Sequence, residues 1–324
     1  MKKQQIMVTA GLICVLSSFN TVASSNDLQT QIENVSNSVS AEDKKFELLA
    51  QEIWQASLER NPISGAYYGQ DLSPNKMPDV SPAALKQENA QVKKQLSLLT
   101  DIDVQTLNEQ NQINLAILRH KLSDQVAEYH FAAYQVPITA EGGFHTSLGF
   151  LPNIANFNNL QDVENYIARL SEFPQFFAQN IEYMSQGLKQ GNSQPQIVLK
   201  GFEASIDGFI IDKPEDSLFF KPLAGKLDFL SNSELDLVKS KARKVITENV
   251  VPSYQKFRDF MTEQYIPNAR ETIGVKYTPN GKAYYQNRTE HYTTTDLSAE
   301  EIHKIGLSEV KRIRSEMQAI IDEL

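Results

Sequence analysis

Residues 160–190, LQDVENYIARLSEFPQFFAQNIEYMSQGLKQ, indicate the fold class more clearly than any other stretch. Their apolar side chains recur every three or four residues, as on one face of an α-helix: Val163, Tyr166, Ile167 and Leu170, then Phe173, Phe176, Phe177, Ile181, Met184 and Leu188. Pro174 cannot donate a main-chain hydrogen bond, so we expect a kink or a break there. Gly191 suits a helix C-terminus. The stretch therefore predicts two helices that bury a core face, rather than a cofactor site.

The same spacing extends in both directions from this stretch. Further helices are predicted over 41–60, from Ser81 and Pro82 onward, and over 104–135, 195–211, 233–265 and 299–324. Glycines and prolines over 65–78 predict a loop after the first of these, and Pro252 predicts a bend in the helix over 233–265. Residues 278–281 predict a turn, and the spacing of Ser298 and Glu301 predicts a capping box at the start of the last helix. Residues 137–159 are rich in glycine and apolar side chains; we expect an ordered connection between helices, with the lining of a cleft as the alternative. The predicted fold class is all-α, a multi-helix array with long loops.

The first residues are typical of a secretion signal. Lys2 and Lys3 precede an apolar run that is too short to span a bilayer, and small residues follow at about Ala23. The sequence predicts a signal peptide over 1–23, a flexible leader over 24–40 and a helical part over 41–324. We therefore expect an exported protein, periplasmic or extracellular, without stable membrane insertion once the signal is cleaved.

Charge and cysteine content exclude several classes of function. The formal net charge is −9, and such an acidic surface repels phosphate backbones, so nucleic acid is excluded as a partner. The single cysteine, Cys14, lies inside the predicted signal peptide, so the sequence offers no disulfide or thiol chemistry for the mature chain.

A search for catalytic motifs assigns no catalytic residue, no metal ligand and no cofactor to this chain. The five histidines form no His-Glu-x-x-His pair, and neither a Gly-x-Ser-x-Gly elbow nor a Gly-x-Gly-x-x-Gly loop occurs. His120 and Asp124 share a helix face, but two ligands are too few for zinc, so we interpret them as a solvated surface pair.

One polar stretch stands out as a candidate substrate-binding segment. Aromatic, basic and hydroxyl side chains cluster at Tyr284, Tyr285, Arg288, His291, Thr293 and Thr294. The β-branched threonines suit a brief extended stretch, which, beside the tyrosines, can hydrogen-bond a peptide backbone. The alternative is a plain polar connection between two helices.

The same stretch carries a resemblance to a known family. The run NGKAYY at 280–285, followed by HYTTTDLSAEEIH at 291–303 and IGLSEV at 305–310, closely resembles the bacterial family called domain of unknown function 885 (DUF885). Earlier elements agree, among them Asn61-Pro62, the Gly142-Gly143 pair and YIARL at 166–170 ahead of Phe173-Pro174. The resemblance covers nearly all of the chain after the predicted signal.

Members of this family resemble exported helical zinc metallopeptidases of the gluzincin type. The resemblance implies that a full-length member is about twice as long, binds zinc, and has its His-Glu motif in the second half. It therefore implies that the present chain is the N-terminal half of a larger metallopeptidase-like fold, with the C-terminal metal-binding half absent.

Three hypotheses follow. The leading one is an exported N-terminal fragment of a zinc-peptidase-like protein, inactive alone, with peptide and the missing C-terminal half as candidate partners. The apolar stripe that runs to Leu324 agrees with a missing partner, since it lacks a closing polar tail. The second is a periplasmic peptide-binding or scaffold module. The third is an independent hydrolase with an unrecognised site.

Overall fold

The computed structural model describes residues 40–324, and that range contains helices, turns and isolated bridges but no strand. The all-α prediction is confirmed. The predicted signal peptide and nearly all of the predicted leader lie outside the described residues. Between residues 40 and 324, every helix is either too short or too polar to cross a bilayer.

Ten helices of six residues or more organise the chain, and we number them in order. They are α1 Ala41–Arg60, α2 Pro62–Tyr67, α3 Pro82–Thr100, α4 Glu109–His130, α5 Leu160–Ser171, α6 Phe173–Gln190, α7 Asn232–Val245, α8 Val251–Phe260, α9 Gly281–Thr293 and α10 Ala299–Glu323. Short helical turns fill the connections: Val104–Thr106, Ala133–Gln135, Phe144–Ser147, Leu148–Phe150, Leu151–Ile154, Gln196–Leu199, Ala204–Asp207, Pro214–Asp216, Leu218–Phe220, Lys221–Ala224, Ile266–Asn268 and Val275–Tyr277.

Helices α1, α3 and α4 pack around a small core of their own. Its buried members come from all three helices and the α3–α4 connection: Phe46, Ile53, Val92, Leu99, Ile102, Leu107, Leu115 and Leu122. Asp43 ties the start of α1 to α4, because its carboxylate accepts hydrogen bonds from Asn108 and Asn111. Burial acts to raise the pKa of Asp43, but these hydrogen bonds and those from Ser40 outweigh it and lower the pKa.

Helices α5 to α8 form the main core, which is rich in aromatic side chains. Phe173, Phe177, Phe219, Tyr254 and Phe257 are all at most 1% exposed. The two predicted helices of residues 160–190 are present, and they part at Glu172, just before Pro174. Gly191 ends α6 in the left-handed region, at φ 79°.

The predicted long helix over 233–265 is present but widens twice into π-helical turns, Ile246–Val250 and Met261–Tyr265. A proline follows each turn, at 252 and at 267. Proline lacks the amide hydrogen, and its ring clashes with the carbonyl four residues earlier, here that of Glu248 or Glu263. Both carbonyls belong to the widened turns, so the prolines account for their positions.

A buried arginine joins the segment after α2 to the main core. The Arg169 side chain is 3% exposed and forms an ion pair with Asp71 at 2.9 Å. Its guanidinium also donates to the main-chain oxygens of Ser73 and Lys76. The neighbouring Glu172 carboxylate accepts from the Met77 amide and from Lys76. These contacts hold an otherwise irregular connection against the start of α6.

Three sequence-based predictions of secondary structure need correction. The predicted helix over 195–211 is wrong: Gly201 adopts φ 78°, and only the short turns Gln196–Leu199 and Ala204–Asp207 form. The predicted helix over 104–135 is shortened to α4, because Asn108 caps its start and Ala132 adopts the left-handed region at its end. Residues 62–67, expected to be mostly loop, form α2.

The connection over 137–159 packs against the main core, as its apolar composition predicted. His145 in this connection is 0% exposed, and its Nε2 atom lies 2.9 Å from the Ser205 Oγ atom. The Tyr254 hydroxyl donates to the main-chain oxygen of His145. Burial lowers the pKa of His145 to about 4. This histidine is thus a neutral core residue.

The last two helices lie outside both cores. Helix α9 packs on α4, whereas residues 303–324 of α10 are exposed throughout. The capping box predicted for α10 is present: the Glu301 amide donates to the Ser298 hydroxyl, and the Glu301 carboxylate accepts from the Ser298 amide.

Candidate functional site

The local sequence places α9 against a tight turn. The turn predicted at Thr278–Gly281 is present, and Asn280 there adopts φ 56°. Gly281 begins α9 so close to the preceding residues that an added Cβ atom would lie 1.9 Å from the Val275 oxygen. Only glycine fits this approach, which fixes where α9 starts and therefore which of its side chains face α4.

Arg288 is the central contact between α9 and α4. Its guanidinium forms ion pairs with Asp124 and, at 3.2 Å, with the Glu128 Oε1 atom. The same group lies 5.5 Å from the centre of the Tyr284 ring. The Arg288 side chain is 14% exposed, so these pairs are largely removed from water. Burial and the charge of Asp124 raise the pKa of Glu128, although Arg288 and His291 act in the opposite direction.

One turn after Arg288 on α9, the His291 side chain lies beside the Asp124 carboxylate. Its Nδ1 atom lies 3.2 Å from the Asp124 Oδ1 atom, without the angle of a hydrogen bond. The imidazole rings of His291 and His120 stack, with centres 4.8 Å apart and planes 11° from parallel. The α4–α9 contact therefore brings together two histidines, two carboxylates and an arginine.

Two cavities open beside this contact. The first, of about 490 Å³, is lined by residues of α3, α4, the following turn and Tyr284 of α9; we call it the tyrosine pocket. The second, of about 350 Å³, we call the histidine pocket; it is lined by His120, Ser123, Asp124, Asn287, Glu290, His291, Thr294, Thr295 and Asp296. Arg288 contacts lining residues of both. The surface that carries both cavities, which we call the groove, is thus aromatic at the first cavity and polar at the second.

The six predicted site residues lie in different parts of this surface. Tyr284 lines the tyrosine pocket, and His291 and Thr294 line the histidine pocket. Arg288 lies between the pockets, bound to their carboxylates. Tyr285 is 51% exposed on the outer face of α9, and Thr293 is exposed with its hydroxyl bonded to the Thr289 oxygen.

The predicted extended threonine stretch is wrong. Thr293 belongs to α9, and Thr294 caps it in the left-handed region at φ 53°. A β-branched residue rarely adopts this conformation, which stores strain of about 1–3 kcal/mol. The main chain there turns sharply, so it offers no strand edge for a bound peptide.

The α4 half of the site was not predicted from the sequence. Asp124, Glu128 and Tyr129 line the two pockets, and none was a candidate. The spacing of His120 and Asp124 was the available signal, but we interpreted the pair as solvated. The Asp124 side chain is in fact only 18% exposed, because α9 covers it.

The donor groups of the described residues do not fit a zinc ion. No cluster of three or more potential ligands occurs between residues 40 and 324. His120, Asp124 and His291 come nearest, but parallel stacked rings do not direct their nitrogen lone pairs at one point, and Asp124 is engaged by Arg288.

One protein family matches most of this chain. A family model described as "Bacterial protein of unknown function (DUF885)" matches residues 62–324. A search of the curated proteins finds no match.

Two solved structures share the fold. A "putative lipoprotein" from Colwellia psychrerythraea matches with a TM-score of 0.71 and 21% identity over 86% of this chain and 50% of that chain. A "putative lipoprotein of unknown function" from Shewanella oneidensis matches with a TM-score of 0.58 and 18% identity over 88% and 48%. The chain thus spans about half the length of these relatives.

Proposed function

Since the chain belongs to the DUF885 family of bacterial proteins of unknown function, we propose that it is the N-terminal part of an exported, zinc-peptidase-like helical protein. In this proposal it contributes a peptide-binding groove, and a second helical part completes the catalytic centre. The peptidase-like chemistry rests on the resemblance of the 280–310 run to that family. The names of the two structural relatives, both called lipoproteins, support export.

The exposed apolar face of α10 carries the proposal. Ile313 is 45%, Met317 57% and Ile320 60% exposed, although they recur at the spacing of a buried helix face. The opposite face of α10 is polar. Arg312, next to Ile313 in the sequence, forms ion pairs with Glu309 and Glu316. Burying an isoleucine or methionine side chain is worth about 1.5–3 kcal/mol, so such a face is strongly stabilised by a partner.

The length of the relatives indicates the partner. Each structural relative extends for about as many residues again as it shares with this chain. A second part of that size is large enough to cover α10. We therefore infer that α10 is an interface helix between the two parts.

The groove between α4 and α9 supports the peptide-binding role. Its histidine pocket supplies hydroxyl, carboxylate and imidazole groups that can hydrogen-bond main-chain amides, and its tyrosine pocket can receive a side chain. Because the groove is built wholly from described residues, a self-sufficient peptide-binding or scaffold module is the second candidate function.

Hydrogen exchange on a longer structural relative tests the two-part proposal. In the full-length Colwellia psychrerythraea relative, the segment equivalent to α10 is expected to be protected. The same segment is expected to lose protection when that chain is cut at the position equivalent to Leu324. Equal exchange in the full-length and cut chains would show that no second part covers this helix.

Light scattering on the present chain tests whether the apolar face of α10 is uncovered. An uncovered apolar face promotes association, so we expect oligomers whose size grows with concentration. Ile313→Glu with Met317→Glu is expected to restore the monomer. Ser308→Glu with Ser315→Glu adds the same charge on the opposite face of α10 and is expected to change nothing. A monodisperse wild-type monomer would contradict the prediction.

Metal analysis and a peptidase assay test whether this part is catalytically incomplete. We expect the purified chain to bind peptide without cleaving it and to hold no stoichiometric zinc. Bound zinc, or cleavage by the pure chain, would instead support the independent hydrolase.

A further inference from the structure

The tyrosine pocket has a lining suited to one class of ligand. Its cavity of about 490 Å³ falls in the size range of small-molecule sites. Its lining includes two carboxylates, Glu88 and Glu128, and three phenols, Tyr129, Tyr134 and Tyr284, with no lysine, arginine or histidine.

The three tyrosines present aromatic surface to the cavity. The rings of Tyr129 and Tyr134 have centres 5.6 Å apart, and Tyr134 packs edge-on against the buried Tyr183 at 4.9 Å. Burial raises the pKa of Tyr134 and of Tyr284, so these phenols are neutral at physiological pH. Neutral aromatic faces attract organic cations, and Arg288 already occupies one such position over Tyr284.

The carboxylates add negative potential at the same cavity. Glu88 pairs with Arg60 at 3.1 Å and Glu128 with Arg288 at 3.2 Å, each through a single oxygen, Oε1. Neither arginine is among the residues that line the cavity, whereas both glutamates are. The raised pKa of Glu128 indicates that its charge is incompletely stabilised by these surroundings.

We propose that the tyrosine pocket binds the basic side chain of a peptide, a guanidinium or ammonium group on an alkyl stem. The alkyl stem packs on Leu85, Val92 and the tyrosine rings. The cationic head lies among the aromatic faces and the carboxylates of Glu88 and Glu128. This inference deepens the proposed peptide-binding role by naming the side chain that is recognised, but it needs no second helical part, because the whole cavity belongs to described residues.

Calorimetry with matched ligands tests the proposal on the purified chain. The probes are Nα-acetyl-arginine methylamide and its citrulline counterpart, which has nearly the same shape but no charge. We expect the arginine probe to bind at least about tenfold more tightly, because only a cation gains from the rings and carboxylates. Equal affinity for the two probes, or no binding of either at millimolar concentrations, would overturn the proposal.

Substitutions in the tyrosine pocket test whether the arginine probe binds there. Tyr129→Leu is expected to weaken the arginine probe about two- to thirtyfold, and Tyr129→Phe to preserve its affinity, because the aromatic face is what attracts the cation. Glu128→Gln is expected to weaken the same probe and to reduce the salt dependence of binding. Tyr277→Leu and Glu109→Gln, which lie outside the pocket, serve as controls and should bind as the wild type does.

The outcomes separate this inference from the two-part proposal. If Tyr129→Leu loses its fold by circular dichroism, Glu128→Gln alone decides the matter, and unchanged binding in that variant would refute the pocket assignment. The hydrogen-exchange result at α10 can fail while arginine binding succeeds, and the reverse is equally possible, because the two measurements concern different surfaces.

Discussion

Helices α6 and α10 carry similar apolar stripes but lie in opposite environments. Phe173, Phe177 and Met184 of α6 are at most 1% exposed, whereas Ile313 and Ile320 of α10 are 45% and 60% exposed. Both helices have apolar side chains at intervals of three and four residues. The difference shows that a stripe specifies which side chains share a face, while other segments or partners decide whether that face is buried.

The largest expected effect comes from truncating one side chain on each stripe. Phe177→Ala is expected to lower the free energy of unfolding by about 3–5 kcal/mol, because it leaves a cavity among packed rings. Ile313→Ala is expected to change it by less than about 0.5 kcal/mol, because this side chain is already in water. Urea unfolding followed by circular dichroism measures both. A similar loss in the two variants would mean that α10 is covered in solution.

Acid is expected to act on the core through His145. Its pKa is about 4 in the folded chain against 6.5 as the ordinary value. Between these two pH values the unfolded chain binds the proton and the folded chain does not, so stability is lost as the pH falls from 6.5 towards 4. The full contribution is about 3 kcal/mol.

Urea midpoints at pH 7 and pH 4.5 check this expectation. The wild type should lose more stability between the two pH values than His145→Phe, which cannot titrate there. His303→Phe, on the exposed α10, should follow the wild type, because that side chain is in water both before and after unfolding. Parallel losses in the wild type and His145→Phe would show that this histidine does not carry the acid sensitivity.

The smallest of the three effects concerns the contact between α4 and α9. Arg288→Ala is expected to cost about 1–3 kcal/mol, because Asp124 and Glu128 would lose a largely buried partner. Arg312→Ala, whose ion pairs lie on the exposed α10, is expected to cost less than about 0.5 kcal/mol. Hydrogen exchange of the α9 amides should accelerate in Arg288→Ala alone. Unchanged exchange in that variant would mean that other contacts hold α9 on α4.

Rules that depend on neighbouring residues predicted where helices begin and end better than they predicted whether a long helix is continuous. The break at Pro174, the cap at Gly191 and the capping box of Ser298 and Glu301 were correctly predicted, because each depends on residues within one turn. The helix over 195–211 failed, because the apolar spacing there continues while Gly201 reverses the main chain. The π-helical turns before Pro252 and Pro267 were predicted only as one bend.

The candidate site was half predictable for the same reason. Tyr284, Arg288 and His291 stand out because they are clustered in sequence. Asp124 and Glu128 are about 160 residues away along the chain, and only the packing of α9 on α4 brings them to Arg288. When residues of opposite charge lie on different helices, nothing in the sequence indicates which of them form ion pairs.

The sequence by itself determined the helical class, the family resemblance and the amphipathic faces, because these depend on residue type and on spacings of three to four residues. The tertiary structure alone decided which faces are buried, which carboxylates meet Arg288, and that an aromatic, acidic pocket lies between α3 and α4. The physical reason is that burial and electrostatic pairing depend on distances in space, which the chain sets only when separate helices pack together.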